Sequence, residues 1–147
     1  MKFQKQLYFH RPDEGSYGDC QRTVVACFLD LDAQDVPHFN DGMPGAKVFN
    51  ERYDGYLASR GLARMMTVFD GSAGLNQVLQ TMKSVNPGMY YCLSGMSETG
   101  VNHVVIAKDD AVVWDTSLND SGIVGPCTDG YFWVDVFVPA FMKCVPT

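Results

Sequence analysis

The stretch YGDCQRTVVACFLDL, Tyr17–Leu31, decides the fold of this chain because a helix pattern begins directly beside a reactive residue. Four apolar residues follow the i, i+3, i+4, i+7 spacing of one buried helix face: Val24, Cys27, Phe28 and Leu31. Asp19 precedes the pattern and is expected to be the N-cap, with its carboxylate accepting hydrogen bonds from first-turn amides. We therefore predict a helix with Cys20 at its start.

Cys20 is the candidate nucleophile because a helix N-terminus favours the thiolate, which is the reactive form of cysteine. The N–H of the same residue can donate to an oxyanion formed on an attacked carbonyl. Asp19 opposes the thiolate through its own charge, and Gln21 and Arg22 are expected on the open side of the helix. A cysteine at a helix start without a partner is more often inert, so the rest of the chain has to supply a base.

The remaining pattern places helices first and strands later, which predicts one α+β domain over residues 1–147. Helices are expected at 46–60 and about 73–84, and strands at 63–69, 88–95 and 130–138. A hairpin is expected over 102–117, with its turn at 108–110. The strands are predicted to form an antiparallel sheet of four or five strands.

The predicted hairpin brings His103 close to Asp115, since the turn would place these residues, or near neighbours, opposite each other. Directly opposed residues have Cβ atoms about 4.5–5.5 Å apart. A carboxylate at that distance can accept a hydrogen bond from one imidazole nitrogen and leave the other free. This pair supplies a base and a group that orients it. The other histidines, His10 in the charged N-terminal segment and His38 in a turn after a proline, are not assigned a role.

The composition excludes several classes of function. A net charge of −6 without a Lys/Arg cluster argues against nucleic-acid binding. The sequence contains no apolar run of roughly 18 residues, so no membrane span is predicted. The N-terminus also lacks the apolar run of a signal peptide. Five cysteines without a CxxC pair predict reduced thiols in a cytoplasm, with no zinc site or disulfide framework. No cofactor or metal is expected, four cysteines are expected to be packing residues, and nothing in the sequence sets an oligomeric state.

Two patches, Gly18–Phe39 and Asn102–Thr116, resemble the papain-like cysteine peptidase superfamily through GDCQRTVVACFLDL followed by NHVV and WDT. Within this superfamily, the chain most resembles a small bacterial and phage-encoded branch, which is similar to the C39-like peptidases. The resemblance implies N-terminal helices, with the nucleophile helix packed on a C-terminal antiparallel sheet. It implies Cys20 as nucleophile, His103 as general base and acid, and Asp115 as orienting carboxylate.

The function implied is a cytoplasmic cysteine hydrolase that acts on an amide, isopeptide or thioester carbonyl of a protein or peptide substrate. In a phage-infected cell, such an enzyme would remove a defence-related conjugate. The sequence does not distinguish hydrolysis from a second reaction, the transfer of the acyl group to an amine. Glu14 stands about where such enzymes carry a glutamine in the oxyanion hole, and its negative charge would repel the oxyanion, with Gln6, Gln21 or Tyr17 as substitutes. The alternative, which Glu14 at that position favours, is a non-catalytic protein that binds a peptide or small ligand on the same fold.

Overall fold

The computed structural model describes residues 1–142. The helices are α1 (Cys20–Leu29), α2 (Ala46–Ser59) and α3 (Gly74–Val85), and the strands are β1 (Leu62–Asp70), β2 (Tyr90–Met96), β3 (Asn102–Lys108), β4 (Ala111–Asp115) and β5 (Tyr131–Pro139). The five strands form one antiparallel sheet in the order β1-β5-β2-β3-β4. The α+β class predicted from the sequence is confirmed.

The predicted elements agree with the observed ones to within a few residues at each end. The sheet order was not evident from local patterns, because β1 pairs along its whole length with β5, the last strand. Among residues 1–142, no helix combines the length and apolarity that a membrane crossing requires. Cys144, one of the four cysteines expected to be packing residues, lies outside the described residues.

Helices cover both faces of the sheet. On the α3 face, one core cluster contains Val78, Leu79 and Met82 with Leu93, Val105, Phe132 and Val134. On the opposite face, α1 contributes Val24 and Cys27 to a cluster with Cys92, Val104 and Ile106. Successive residues of a strand point to opposite faces, so β3 buries both of its faces. This explains why β3 is a continuous apolar run rather than an alternating one.

Helix α2 packs beside α1 on the same face of the sheet. Tyr53 and Leu57 of α2 share a cluster with Val25 of α1, and all three are fully buried. Phe137 of β5 contacts both helices, since its ring lies 4.9 Å from that of Phe28 and 6.3 Å from that of Tyr53. The start of α1 is therefore held at a defined position above the sheet.

Asp19 occupies the N-cap position, but the prediction that its carboxylate caps the first turn is wrong. The carboxylate instead accepts hydrogen bonds from the backbone N–H groups of Leu7 and Tyr8, both at 3.0 Å. It also pairs with Arg22 at 2.9 Å from Nε to Oδ2. Arg22, expected on the open side, is 8% exposed because the N-terminal segment crosses over this part of α1.

The N-terminal segment joins α1 to β4. The backbone N–H of Lys2 donates to the carbonyl of Cys27 at 3.0 Å, and that of Gln6 donates to the carbonyl of Thr116 at 2.8 Å. Trp114 of β4 donates through its indole N–H to the carbonyl of Gln4 at 2.8 Å. These contacts bring the first residues of the chain to the end of β4, where Asp115 lies.

Replacing Arg22 by alanine should lower the free energy of unfolding by about 3 kcal/mol or more, because the buried Asp19 carboxylate loses its partner. Urea unfolding at pH 7 measures the change. Lys47→Ala is the matched control, since Lys47 is exposed and its 3.8 Å contact with Glu51 should contribute less than about 0.5 kcal/mol. Equal losses in the two variants would contradict a structural role for the buried pair.

Candidate active site

A cleft of about 840 Å³ lies where the N-terminus of α1 meets the start of β3. Cys20, the first residue of α1, and His103, the second residue of β3, both line it. Cys20 is partly exposed, whereas His103 is 7% exposed. The structure therefore brings together the candidate nucleophile and the candidate base that the sequence predicted.

Asp115 lies behind His103 and binds it directly. The distance from His103 Nε2 to Asp115 Oδ1 is 2.7 Å. Three further donors hold the carboxylate in place: the Ser117 backbone N–H at 2.9 Å, the Ser117 hydroxyl at 2.9 Å and the Gly122 backbone N–H at 2.8 Å. With Nε2 engaged, Nδ1 is the ring nitrogen that remains for a partner on the cleft side.

A β-bulge between β3 and β4 puts Asp115 on the same face as His103. Near the hairpin turn, Ala107 pairs with Val112, but the register then shifts by one residue and Asp115 pairs with Val105. Without this shift the ladder would place Asp115 opposite Val104, on the other face of the sheet. Asp115 thus reaches His103 diagonally, and does not lie directly opposite it.

The electrostatics of the pair favour an ionised histidine and an ionised carboxylate. Burial by itself lowers the pKa of His103, but hydrogen bonds with Asp115 and Cys20 outweigh it and raise the pKa to about 9. Burial by itself raises the pKa of Asp115, but hydrogen bonds from His103, Ser117 and Gly122 hold it well below its ordinary range. At neutral pH the Cys20 thiol therefore lies beside an imidazolium.

The other described cysteines lie in environments that suppress the thiolate. Burial raises the pKa of Cys27, raises that of Cys92 well above its ordinary value, and raises that of Cys127 to about 11. All three side chains are buried. Among residues 1–142, Cys20 is the thiol with both exposure and a basic partner.

Glu14 does not take the position of an oxyanion-hole glutamine. It lies on a 3₁₀ helix, Pro12–Glu14, with its side chain 69% exposed and 3.7 Å from Arg11, and it does not line the cleft. Among the proposed substitutes, Gln6 and Gln21 line the cleft and Tyr17 does not. The repulsion expected between Glu14 and an oxyanion is therefore removed by the fold.

Gln6 is 8% exposed, and its carboxamide is fixed by donation from Nε2 to the Tyr8 carbonyl at 2.6 Å. A Cβ at Gly18 would stand 3.7 Å from the same Nε2 and 3.1 Å from the His10 Cβ. A side chain at Gly18 would crowd His10, because the N-terminal segment approaches the Gly18 Cα closely. Gln6 is therefore held against the turn that leads into Cys20.

Two residues without an assigned role from the sequence, His10 and His38, support the same turn. His10 Nδ1 accepts a hydrogen bond from the Gly18 N–H at 3.1 Å, and His38 Nε2 donates to the Tyr17 carbonyl at 2.9 Å. The Tyr8 ring stacks on His38 with centroids 6.2 Å apart. Local sequence carries no signal for these contacts, because each joins segments that are distant along the chain.

Within residues 1–142, no group of three or more His, Cys, Asp or Glu side chains is arranged as a metal site would require. Comparisons of the chain with protein-family models, with curated proteins and with solved structures found no match.

Inserting one alanine between Trp114 and Asp115 should turn Asp115 to the opposite face, because the inserted residue would take the place opposite Val105 and Asp115 would fall opposite Val104. The midpoint of the His103 titration, followed by NMR, should then fall from about 9 toward the ordinary value near 6.5. Deleting Val113 is the matched control, since it removes the bulge but leaves Asp115 opposite Val105 and should leave the midpoint unchanged. An insertion variant that folds, by circular dichroism, and still titrates near 9 would contradict this role of the strand register.

The raised pKa of His103 also predicts the direction of a pH effect on stability. Because the folded value of about 9 exceeds the ordinary 6.5, the stabilisation is fully present below pH 6.5 and is lost as the pH rises through 9. The difference in unfolding free energy between the unmodified protein and His103→Gln should be roughly 2–3 kcal/mol larger at pH 6 than at pH 10. Urea unfolding at both pH values measures this difference, and a difference that does not change with pH would contradict the prediction.

Proposed function

We propose that this protein is a cysteine hydrolase of the papain-like kind, with Cys20 as nucleophile, His103 as general base and acid, and Asp115 as orienting carboxylate. The observation that carries the proposal is the position of His103 between the two others. Its Nε2 is 2.7 Å from Asp115 Oδ1, and its ring lies beside the Cys20 thiol at a cleft. The order of helix, strand and next strand supports the papain-like assignment.

The first step is attack of the Cys20 thiolate on the carbonyl carbon of an amide, isopeptide or thioester. A C–S bond forms, and the carbonyl electron pair moves to the oxygen to give a tetrahedral oxyanion. The N–H of Cys20 is available as a donor, because the first N–H groups of a helix have no intrahelical partner. This donor and the positive end of α1 stabilise the developing charge.

Gln6 is the second oxyanion donor in this proposal. One hydrogen of its Nε2 is committed to the Tyr8 carbonyl, and the other is free for a ligand in the cleft. The backbone N–H of Gln6 donates to Thr116, the residue after Asp115, so the carboxamide is anchored to the same strand end as the catalytic pair.

The remaining steps return the enzyme to its starting state. The proton on His103 Nδ1 passes to the leaving nitrogen or sulfur as the bond to the carbonyl carbon breaks, which leaves a thioester on Cys20. Water then attacks the thioester while His103 accepts its proton, and the C–S bond breaks to release a carboxylic acid. Asp115 keeps the ring in one orientation throughout and stabilises the imidazolium.

The alternative of a non-catalytic binding protein drew support from Glu14. That support falls away, since Glu14 is exposed and outside the cleft. The proposed substrate is a protein or peptide. The proposed compartment is a cytoplasm, in which thiols are reduced.

Iodoacetamide at pH 7 should alkylate Cys20 at least tenfold faster than Cys27, Cys92 or Cys127, because Cys20 is the one of these four described thiols that has an imidazolium beside it. Peptide mass spectrometry of timed samples gives the rate at each site. His103→Ala should abolish the preference. Equal rates at the four thiols of the unmodified protein would remove the hydrolase proposal and favour a binding protein.

Hydrolysis of a mixed peptide library, followed by mass spectrometry, tests the oxyanion donor separately. Gln6→Ala should slow turnover about 100-fold to 1,000-fold, as loss of one oxyanion donor does in other hydrolases. The same variant should leave the iodoacetamide rate within twofold, since alkylation forms no oxyanion. Gln4→Ala is the matched control, because Gln4 binds the backbone of Leu31 and Ala33 away from the cleft.

A further inference from the structure

Strand β1 forms one edge of the sheet, and its outer side pairs with no other strand of residues 1–142. It pairs with β5 over all 9 of its residues without a bulge, and it contains neither proline nor lysine. Bulges, prolines and lysines are among the means by which natural proteins keep a strand edge from pairing with another chain. Arg64 points inward, but it already binds Asp54 at 2.6 Å, so an added strand would not leave it unpaired. The edge is therefore long, regular and open to a further strand.

The opposite edge, β4, is covered by the N-terminal segment. Trp114 of β4 donates to the Gln4 carbonyl at 2.8 Å, and its ring stacks on that of Phe3 with centroids 5.3 Å apart. Directly after β4, the Thr116 carbonyl accepts a hydrogen bond from the Gln6 N–H. The chain thus protects one edge of its sheet with its own residues, and the part that the structure describes leaves the other edge open.

The backbone of β1 presents alternate residues to the open side. Beyond the two ends of the strand, the Gly71 N–H donates to the Gly130 carbonyl and the Ala140 N–H donates to the Gly61 carbonyl, both at 2.9 Å. These pairs continue the register of β1 with β5, so the odd-numbered residues of β1 direct their N–H and C=O groups toward β5. The even-numbered residues direct theirs outward: Leu62, Arg64, Met66, Val68 and Asp70.

The side chains in the middle of β1 are apolar and exposed. Met65, Met66 and Val68 are 59%, 52% and 44% exposed. Leu62 packs in the cluster of α2 and Phe69 packs against the cluster of α3. Because strand side chains alternate, Met66 and Val68 lie on the α2 face and Met65 lies on the α3 face. A strand added at this edge would shield apolar side chains on both faces.

We propose that β1 binds β1 of a second copy of this chain, antiparallel across a two-fold axis at Met66. In this register the strands pair over their whole length, since Leu62 lies opposite Asp70 of the second copy and Met66 lies opposite itself. The residues that meet with their N–H and C=O groups are the even-numbered ones, whose groups point outward in each copy. No residue of β1 lines the cleft, so the contact holds or fails independently of the proposed hydrolase.

The charges at the two ends of β1 favour a second copy as the occupant. Arg60, just before the strand, and Asp70, its last residue, are both exposed and have opposite signs. The two-fold axis brings the end that carries Arg60 to the end that carries Asp70 of the second copy, within diagonal reach of long side chains. The assembly also stops at two copies, because an isologous contact uses both β1 edges and leaves the covered β4 edges at its ends.

Sedimentation velocity in a reducing buffer, at concentrations from about 1 to 200 μM, should show a mass that rises from one chain toward two, since one strand pair makes a small interface. Met66→Lys should raise the dimer dissociation constant more than tenfold, because the two lysines would face each other across the axis. Met66→Glu should do the same. An equal mixture of the two variants should associate within threefold of the unmodified protein, since a lysine then faces a glutamate.

Met65→Lys is the matched control. Met65 is as exposed as Met66, but in this register it lies opposite Thr67 of the second copy and not opposite itself. Its dissociation constant should therefore change by less than threefold. The mixing experiment also separates repulsion from misfolding, because a variant that had lost its fold would not be rescued by the other variant.

Amide hydrogen exchange, followed by NMR at both ends of the concentration range, locates the contact. Exchange at Met66 and Val68 should slow at least threefold at the higher concentration. Exchange at Met65 and Thr67 should stay the same, because their N–H groups already bind β5.

A protein that stays monomeric over the whole range would overturn the proposal, even if β1 bound an extended peptide of another protein. Unchanged association of Met66→Lys and Met66→Glu would overturn it as well. A dimer without slowed exchange at Met66 and Val68 would assign the contact to another surface and so contradict pairing through β1.

Discussion

The hydrogen bond between His103 and Asp115 is the constraint on which the rest of the site depends. Two ionised groups in a largely buried position are costly unless each has partners, and Asp115 meets this condition with three donors besides His103. Two of these donors come from Ser117 and one from Gly122. The chain after β4 must therefore fold back over the sheet, and residues of the same segment, including Ser117, form one wall of the cleft.

The N-terminal segment has an equally direct part in the site. Asp19 would place a negative charge beside the proposed nucleophile, but Arg22 compensates it at 2.9 Å and the amides of Leu7 and Tyr8 bind it. The same segment carries Gln6 into the cleft. The N-terminal segment thus binds the carboxylate beside Cys20 and delivers the proposed oxyanion donor, while Arg22 of α1 supplies the compensating charge. The stability of the helix start is in this way coupled to the chemistry proposed there.

The cleft differs in character between its parts. Around Cys20 the wall is polar, with His103, Gln6 and His38, whereas Phe49 and Met43 form an apolar end. In the proposed hydrolase, the scissile carbonyl would lie in the polar part of the cleft, beside Cys20.

Local patterns in the sequence were enough for the α+β class, the approximate bounds of the elements, and the nomination of Cys20, His103 and Asp115, because each depends on near neighbours along the chain. Tertiary structure alone decided the side-chain partners of Asp19, the exclusion of Glu14 and the placement of Gln6 and His38. These depend on contacts between distant segments, for which periodicity carries no information. The bulge shows the limit most directly: strand side chains alternate with a period of two, so the one-residue register shift at the bulge places Asp115 on the face of His103.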